Sequence, residues 1–329
     1  MEVPFRAVLA IAVVASVLTA CTDRAPHDTP PTPATAAPSP GATPSEAPSS
    51  NAPSPSPKRG RQVLLIVEEN SAYGQIIGDS HAPYLNGLAR VYGTATRLDA
   101  GYPAGCPSLA AYLLLTSGTT HGICDDGAPQ AHPLSGASVF SQVNAVGLQW
   151  RAYAESAPGP CALGNSRDGR YLVRHVPATY YVNIRADCRR WALPLGTSRA
   201  GALHDDVAAG ALPAFGFITP NACNDMHGAP VCSANLVADG DRWLRTWIPQ
   251  ILTGPDYRSG RLTVIITWDE GDNSDNHIPT LIISPTTRHI TSAKRYTHCS
   301  TLRTVETLLR LPLLGCATTA PSMVAPFAL

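Results

Sequence analysis

The segment TWDEGDNSDNHIP, residues 267–279, concentrates acidic side chains in a chain of which only 15% is charged. Asp269 and Glu270 come directly after an apolar run, and His277 follows a few positions later. Such a segment can be an ordinary solvated acidic loop. Alternatively, its carboxylates can form part of a site for a hard divalent cation, which prefers oxygen ligands. Other parts of the sequence have to decide between these two interpretations.

Two further segments place polar side chains just after apolar runs. Glu69 and Asn70 end the first such run, and Asp225 and His227 lie shortly after the run AFGFITP. In open α/β sheets, ligands bind outside the carboxyl ends of the strands. Because three separate segments bring acidic, amide and imidazole groups to that edge, we interpret them as parts of one site.

The oxygen-bearing side chains of two segments are predicted to hold a metal ion. Glu69 and Asn70 come from the first apolar run, and Asp269 and Glu270 come from the later one. Carboxylate and amide oxygens are the ligands that hard divalent cations prefer. The sequence therefore predicts a divalent cation as cofactor and leaves its identity open.

Ser108 is the candidate nucleophile. It begins the segment PSLAAYLLLTSG, residues 107–118, which carries helix start and stop signals. The free N–H groups of a helix start favour a phosphate or an alkoxide, and metal coordination lowers the pKa of a hydroxyl. His227 and His277 can bind phosphate oxygens or protonate a leaving group. Each of these residues also has a purely structural interpretation, such as helix capping for Ser108.

Strands alternating with helices are predicted to position these residues. Continuous apolar runs indicate strands that are covered by helices on both faces of a sheet. The predicted strands are residues 62–68, 147–155, 214–220, 261–268 and 280–284, and the predicted helices are residues 107–118, 235–253 and 300–315. The pattern predicts an α/β fold.

The amino-terminal residues are predicted to lie outside the folded domain. Residues 1–21 combine a short basic start, an apolar run and LTAC, which is typical of a lipoprotein signal ending at a lipidated Cys21. An ordinary signal with a chance cysteine is the alternative. Residues 22–60, rich in Pro, Ala, Ser and Thr, predict a disordered tether. Residues 61–329 would then form one exported domain, anchored by lipid to the extracytoplasmic face of the cell membrane.

The composition argues against one class of partner and indicates disulfides. Basic and acidic residues number 24 each and form no basic block, so nucleic acid is not an expected partner.

Of nine cysteines, eight remain when Cys21 is set aside, an even set that is typical of disulfides in an exported chain. A zinc site is the alternative, but the sequence lacks a CxxC pair. Pairing of neighbours predicts the disulfides Cys106–Cys124, Cys161–Cys188, Cys223–Cys232 and Cys299–Cys316.

An ordered set of segments resembles a known family. The segments are VLLIVEEN, YPAGCPSLAAYLLLTSG, LQWRAYAES, RHVPATYY, LPAFGFITPNACNDMH, TWDEGDNSDNHIP and YTHCSTLRTVETLLRLPLLG. They are similar to segments of the bacterial phosphoesterase family that includes phospholipases C and the acid phosphatase A type. The resemblance covers nearly all of residues 62–315. It implies an alkaline-phosphatase-like α/β sandwich, with a mostly parallel central sheet flanked by helices and disulfide-stapled loops.

The resemblance also implies roles for individual residues. Ser108 would be the metal-bound nucleophile that forms a phosphoserine intermediate, and the phosphate pocket would be lined by Asp225, His227 and His277. The metal ligands would be Glu69, Asn70, Ser108, Asp269 and Glu270.

Several positions leave the resemblance incomplete. His175 and His298 match family segments, but their roles stay open. Cys106 stands where many relatives have histidine. The spacing of GDNSDNH leaves open whether Asp272 or Asp275 supports His277.

These observations predict a surface-tethered, metal-dependent phosphoesterase. A phosphomonoesterase is favoured, because the chain is short for a phospholipase C of this family. The alternatives are a phospholipase C acting on phosphodiesters and a lipoprotein that binds phosphorylated ligands without turnover. The natural substrate and the oligomeric state stay open.

Overall fold

The central feature of the fold is a nine-stranded sheet. The computed structural model describes residues 60–102, 105–272 and 276–329, which all fall within one compact unit. The predicted signal peptide with Cys21, the tether up to residue 59, and Asp275 lie outside the described residues. The strands are β1 (Gln62–Glu68), β2 (Gly93–Asp99), β3 (Trp150–Ala154), β4 (Ala192–Pro194), β5 (Phe215–Thr219), β6 (Leu262–Trp268), β7 (His277–Ile283), β8 (Ile290–Ser292) and β9 (Tyr296–Thr297).

The sheet is mostly parallel, as predicted. Its strand order is β4-β3-β5-β1-β6-β7-β2-β8, and β9 pairs with β2. The pairs of β7 with β6 and with β2 are antiparallel, and the other pairs are parallel. The central strands β1, β5 and β6 are buried along their whole length. This explains why their sequences are continuous apolar runs rather than alternating ones.

Two central strands bring distant parts of the chain together. β1 and β6 pair in register from Gln62 with Leu262 to Glu68 with Trp268. The backbone N–H of Asp269 then donates to the carbonyl of Glu68, at 2.9 Å. As a result, the residues that follow β1 and β6 lie side by side at the carboxyl edge of the sheet.

Helices cover the sheet. α3 packs against α9, α2 packs against α7, and α9 also contacts β1. The helices are α1 (Tyr73–Ile76), α2 (Pro83–Val91), α3 (Ser108–Ser117), α4 (Val139–Ala145), α5 (Arg185–Trp191), α6 (Ala202–Ala209), α7 (Leu236–Thr253), α8 (Pro255–Arg258) and α9 (His298–Leu309). Short 3-10 helices are formed by Val173–His175, Pro177–Thr179, Val182–Ile184 and Gly315–Thr318. Among the described residues, none of these helices combines the length and hydropathy required to span a bilayer.

Three predicted elements differ from the structure by more than one residue at an end. The strand predicted over residues 147–155 is β3, which begins at Trp150. The helix predicted over residues 300–315 begins at His298 and ends at Leu309, because Arg310 takes a left-handed φ of 58° and Pro312 follows. β7 begins at His277, before the predicted residue 280. Because β7 runs antiparallel to β6, His277 still lies at the carboxyl edge of β6.

The four predicted disulfides are confirmed. They are Cys106–Cys124, Cys161–Cys188, Cys223–Cys232 and Cys299–Cys316. Cys106 lies two residues before Ser108, and the loop closed by Cys106–Cys124 contains Ser108. The loop closed by Cys223–Cys232 contains Asp225 and His227. These bridges therefore restrict loops that carry predicted site residues.

Candidate active site

Ser108 lies between two carboxylates. Its Oγ donates to Oε2 of Glu69 at 3.2 Å, and it lies 3.4 Å from Oε1 of Glu270. Ser108 is the first residue of α3, a helix whose ten residues are all buried. Ser108 itself is 3% exposed. In the first turn of the helix, the N–H of Leu109 donates to Asp126 and the N–H of Ala110 donates to the carbonyl of Pro107, so the hydroxyl lies at the positive end of the helix dipole.

Tyrosines hold the two carboxylates that flank Ser108. The hydroxyl of Tyr112, one turn further along α3, donates to Oε1 of Glu69 at 2.6 Å. The hydroxyl of Tyr102 donates to Oε2 of Glu270. Each glutamate therefore uses one oxygen to accept from a tyrosine and the other to face Ser108.

Asp269 and Asn70 complete the predicted ligand set. The backbone N–H of Asn70 donates to Oδ1 of Asp269 at 3.3 Å, and Asn70 has a positive φ of 46°. Asparagine tolerates this left-handed conformation better than most residues. The other oxygen, Oδ2 of Asp269, is buried and has no hydrogen-bond partner among the described residues. Buried oxygens of this kind normally have a partner.

Burial and mutual repulsion disfavour the negative charge of the carboxylates in this cluster. Burial raises the pKa of Glu69 well above its ordinary value, and the charge of Asp225 raises it further. Burial is also the main cause of the raised pKa of Asp269 and of Asp225. Glu270 is half-buried, and burial raises its pKa as well. A cluster that disfavours its own negative charge suits a divalent cation, which would neutralise that charge.

His175 lies at the centre of the cluster, although the sequence assigned it no role. Its Nδ1 is 3.2 Å from Oδ2 of Asp225, and its Nε2 is 3.1 Å from Oε1 of Glu69. Only the contact with Asp225 has hydrogen-bond geometry. Burial lowers the pKa of His175 well below its ordinary value, and the charge of Arg174 lowers it further. A neutral His175 that donates from Nδ1 to Asp225 therefore points its Nε2 lone pair toward Glu69.

Arg174 brings positive charge to the cluster. Its Nη2 donates to Nε2 of His227 at 2.8 Å, and its Nε lies 2.9 Å from Oδ2 of Asp126. Asp126 in turn accepts from the backbone N–H of Leu109, in the first turn of α3. Arg174 is thus held beside the helix start that carries Ser108. Arg174 begins the segment RHVPATYY, and no role was predicted for it.

His227 has both ring nitrogens engaged. Nδ1 donates to the carbonyl of Gly228 at 2.8 Å, so Nε2 is the acceptor for Arg174. Its backbone N–H donates to Oδ1 of Asp225 at 2.8 Å, and burial lowers its pKa. In this arrangement His227 orients Arg174. The predicted role of His227 as a proton donor stays a prediction.

His277 lies at the same sheet edge but has other partners. Its Nε2 donates to the carbonyl of Thr96 at 2.9 Å, and its ring stacks on Tyr73 with centroids 4.7 Å apart. Asp272 accepts from the side chain of Gln75, and Asp275 is outside the described residues, so neither is shown to support His277. The structure brings His277 into contact with β2 and not with the carboxylates around Ser108. Its role at the phosphate stays a prediction.

His298 is a structural link to the site. It is fully buried at the start of α9, and its Nε2 donates to the backbone carbonyl of Asp269 at 2.6 Å. Burial lowers its pKa to about 4, so the ring is neutral and Nε2 carries the proton. His298 therefore fixes the backbone beside the predicted ligands Asp269 and Glu270.

The donor set fits a divalent cation. The predicted ligands Glu69 and Glu270 converge on Ser108, and one buried oxygen of Asp269 has no partner in the described part of the chain. Metal-ligand spacing is found for a different group, Glu69, His175 and His227, whose donor atoms lie within 4.8 Å of one another. Because Nε2 of His227 already accepts from Arg174, the oxygen-rich set is the better match to a hard cation.

Sequence comparisons identify the family. Residues 79–312 match the Phosphoesterase family. A phosphatidylinositol-3-phosphatase of Mycobacterium tuberculosis is 30% identical over 267 residues, which cover 79% of this chain and 80% of that protein. An acid phosphatase of Aspergillus fumigatus is 25% identical over 226 residues, which cover 65% of this chain and 48% of that protein. This chain thus aligns with about half the length of the fungal relative.

Structural comparison supports the fold. A protein in the alkaline phosphatase superfamily from Vibrio parahaemolyticus has a TM-score of 0.54 at 13% identity, with 82% of this chain and 72% of that chain covered. The likeness confirms the predicted alkaline-phosphatase-like architecture. The family match over residues 79–312 and the 30% identity to the mycobacterial phosphatase show that this chain belongs to the Phosphoesterase family and is a hydrolase of phosphoric ester bonds.

Proposed function

We propose that the protein is a metal-dependent phosphomonoesterase that uses Ser108 as its nucleophile. The observation that carries this proposal is the placement of a buried serine hydroxyl at a helix start, between the carboxylates of Glu69 and Glu270. A serine used only as a helix cap would not need two carboxylate partners. A protein that only binds phosphorylated ligands would not need a nucleophile in this position.

The predicted ligands of the divalent cation are Glu69, Asn70, Ser108, Asp269 and Glu270. When bound, such a cation would lower the pKa of the serine hydroxyl and offset negative charge on the phosphoryl group. Burial of the carboxylates in a site of low polarity strengthens both effects.

The residues of this chain can carry a two-step displacement. Oγ of Ser108 forms a bond to phosphorus as the ester P–O bond breaks, and solvent water takes up the hydroxyl proton and supplies a proton to the leaving oxygen. Water then cleaves the phosphoserine, which releases phosphate and restores the hydroxyl. Arg174 and the positive end of the α3 dipole supply positive charge for the non-bridging oxygens.

A phosphomonoester substrate is favoured over a phosphodiester. The curated relatives described above are named as a phosphatidylinositol-3-phosphatase and an acid phosphatase, and both names denote removal of a terminal phosphate. Phospholipase C activity on phosphodiesters is the second candidate, because the resemblance includes phospholipases C.

We further propose that the domain acts outside the cytoplasm on a tether. The support is the sequence of residues 1–60, with its apolar run, Cys21 and Pro-rich segment, together with the four disulfides. Metabolic labelling with a radioactive fatty acid tests this point. Label in the wild-type chain that is lost in Cys21→Ala is expected, and equal labelling of both would contradict lipidation.

The test of the chemistry is hydrolysis of p-nitrophenyl phosphate by residues 61–329 with disulfides formed, with and without chelator. Ser108→Ala is expected to remove turnover while leaving the fold and cation binding largely intact. Ser117→Ala is the matched control, because Ser117 is equally buried in the same helix but donates to the carbonyl of Leu113. Full activity in Ser108→Ala would exclude Ser108 as nucleophile.

The substrate class is tested with a choline phosphodiester in the same assay. Turnover of the monoester alone supports the phosphatase. Turnover of the diester alone would replace it by the phospholipase C activity. A folded, cation-loaded protein inert toward both would favour a binding lipoprotein.

A further inference from the structure

An open cavity of about 820 Å³ lies beside the predicted active site. It is lined by His277 of β7, by Arg97 and Asp99 of β2, and by Arg295 and Thr297 at β9. Its volume is in the range of cavities that bind small molecules. The mechanism proposed above uses neither of its two arginines.

An irregularity in β2 places Arg97 at this cavity. The register of β2 against β7 shifts within residues 95–98, which leaves an extra residue in β2. The carbonyl of Thr96, inside this bulge, accepts from Nε2 of His277, and Tyr73 stacks on the His277 ring. Bulges beside active sites re-aim side chains. His277 and Tyr73 therefore hold the backbone that presents Arg97.

Both arginines of the cavity are available to an anion. Arg97 and Arg295 are exposed, and the ion pairs found among the described residues involve other arginines. Asp99 also lines the cavity, and its Oδ1 accepts from the backbone N–H of Gly101 at 2.8 Å, so the two arginines outnumber the single carboxylate of the lining. Guanidinium groups bind phosphate through pairs of hydrogen bonds, which makes arginine well suited to this ligand.

The cavity is close enough to Ser108 for one small molecule to reach both. Arg97 on β2 lies two strand spacings from β6, and Arg295 beside β9 lies three, so the two regions are roughly 10 to 15 Å apart. Two contacts connect them directly. Tyr102, shortly after β2, donates to Glu270, and His298, next to Thr297, donates to the carbonyl of Asp269.

We propose that Arg97 and Arg295 form a second phosphate subsite, which selects phosphomonoesters that carry another phosphate group roughly 10 to 15 Å from the scissile one. This inference rests on the proposed phosphomonoesterase function and narrows its substrate class. The scissile phosphate would lie at Ser108, and the second phosphate, as a monoester or a diester, would lie between the two guanidinium groups.

The experiment compares hexane-1,6-diol bisphosphate with hexane-1,6-diol monophosphate, which differ only in the second phosphate. The wild-type protein is expected to have the higher kcat/KM for the bisphosphate. In Arg97→Gln and Arg295→Gln, the ratio of the two kcat/KM values is expected to fall by about five- to tenfold, mainly through KM. Arg199→Gln is the matched control, because Arg199 is exposed in a turn outside the cavity.

The outcomes separate the subsite from the proposed function. If the wild-type protein hydrolyses neither compound, the phosphomonoesterase proposal fails. If it hydrolyses both and the ratio is the same in wild type, Arg97→Gln and Arg295→Gln, the subsite proposal is overturned while the function stands. An equal fall of the ratio in Arg199→Gln would also overturn it, because the effect would then be one of overall charge.

A second arm distinguishes a phosphate of the substrate from a charged lipid surface. It compares hexane-1,6-diol bisphosphate in solution with phosphatidic acid in phosphatidylcholine vesicles, which presents a phosphomonoester without a second phosphate. Loss of kcat/KM for the soluble bisphosphate in Arg97→Gln supports recognition of the substrate's own second phosphate. Loss confined to the vesicles would replace the subsite by a membrane-binding surface.

Discussion

Removal of the divalent cation is expected to lower the thermal stability of the domain, and to lower it more as the pH rises. The carboxyls of Glu69, Asp225, Asp269 and Glu270 all have raised pKa values, mainly because they are buried. The folded protein therefore keeps protons that the unfolded chain releases. Without the cation, stability is highest below the ordinary carboxyl pKa, near pH 4, and falls as the pH rises toward the folded values.

A bound cation replaces these protons and removes most of that pH dependence. At a cation concentration 100 times Kd, the stabilisation is about 2.7 kcal/mol. For a domain of this size, this corresponds to a Tm increase of roughly 5 °C. We expect this difference at pH 7.5 and almost none at pH 4.5, where protons already neutralise the carboxylates.

The assay is thermal unfolding by circular dichroism between pH 4.5 and pH 7.5, with chelator or with saturating cation. Asp269→Asn provides the control, because it removes one ligand and one buried charge at nearly constant volume. The metal-free variant should be more stable than the metal-free wild type at pH 7.5, and its response to cation should be smaller. A Tm difference that is absent, or that is the same at every pH, would refute this account of the cluster.

Two other positions lead to separate predictions. His175→Ala is expected to reduce kcat/KM by about 10- to 100-fold, because it removes the donor that orients Asp225. His175→Asn should restore much of this activity, since its amide can still donate to Asp225, and equal losses would contradict an orienting role. The pKa of Glu306 is raised from 4.5 to about 8 by burial, so the folded state retains its proton and stability falls between those pH values. Glu306→Gln should reduce this fall by about 2 kcal/mol in chemical unfolding at pH 5 and pH 8, and an unchanged slope would show that Glu306 does not hold the proton.

The strands that carry the site could be predicted because their apolar runs are continuous. β1, β5 and β6 match the predicted runs within a residue at each end, since burial on both faces leaves a clear signal. The pairing of neighbouring cysteines was also correct. β2 was missed because its sequence, GTATRLD, has no apolar run, and its bulge interrupts the alternation that would indicate a strand.

The roles of Arg174 and His175 could not be derived from the sequence. Both lie in a short 3-10 turn without periodicity, and their partners are distant along the chain. His175 reaches Glu69 and Asp225 only because β1 and β5 are neighbours in the sheet. For His277, the position was predicted but the partner was not. Its position at the sheet edge was predicted, but its contact with Thr96 depends on the unpredicted strand β2.

The pairing of β1 with β6 has a consequence for how the protein matures. Glu69 and Asp269 are separated by about two-thirds of the chain, and their meeting requires parallel strands that close one of the longest loops in the fold. Pairing of this kind is slow, whereas the disulfide between Cys223 and Cys232 spans only 9 residues and can form early. The site proposed for the cation is complete only after synthesis has passed Glu270. If the proposal is correct, the ions available where folding is completed decide which metal the site takes up.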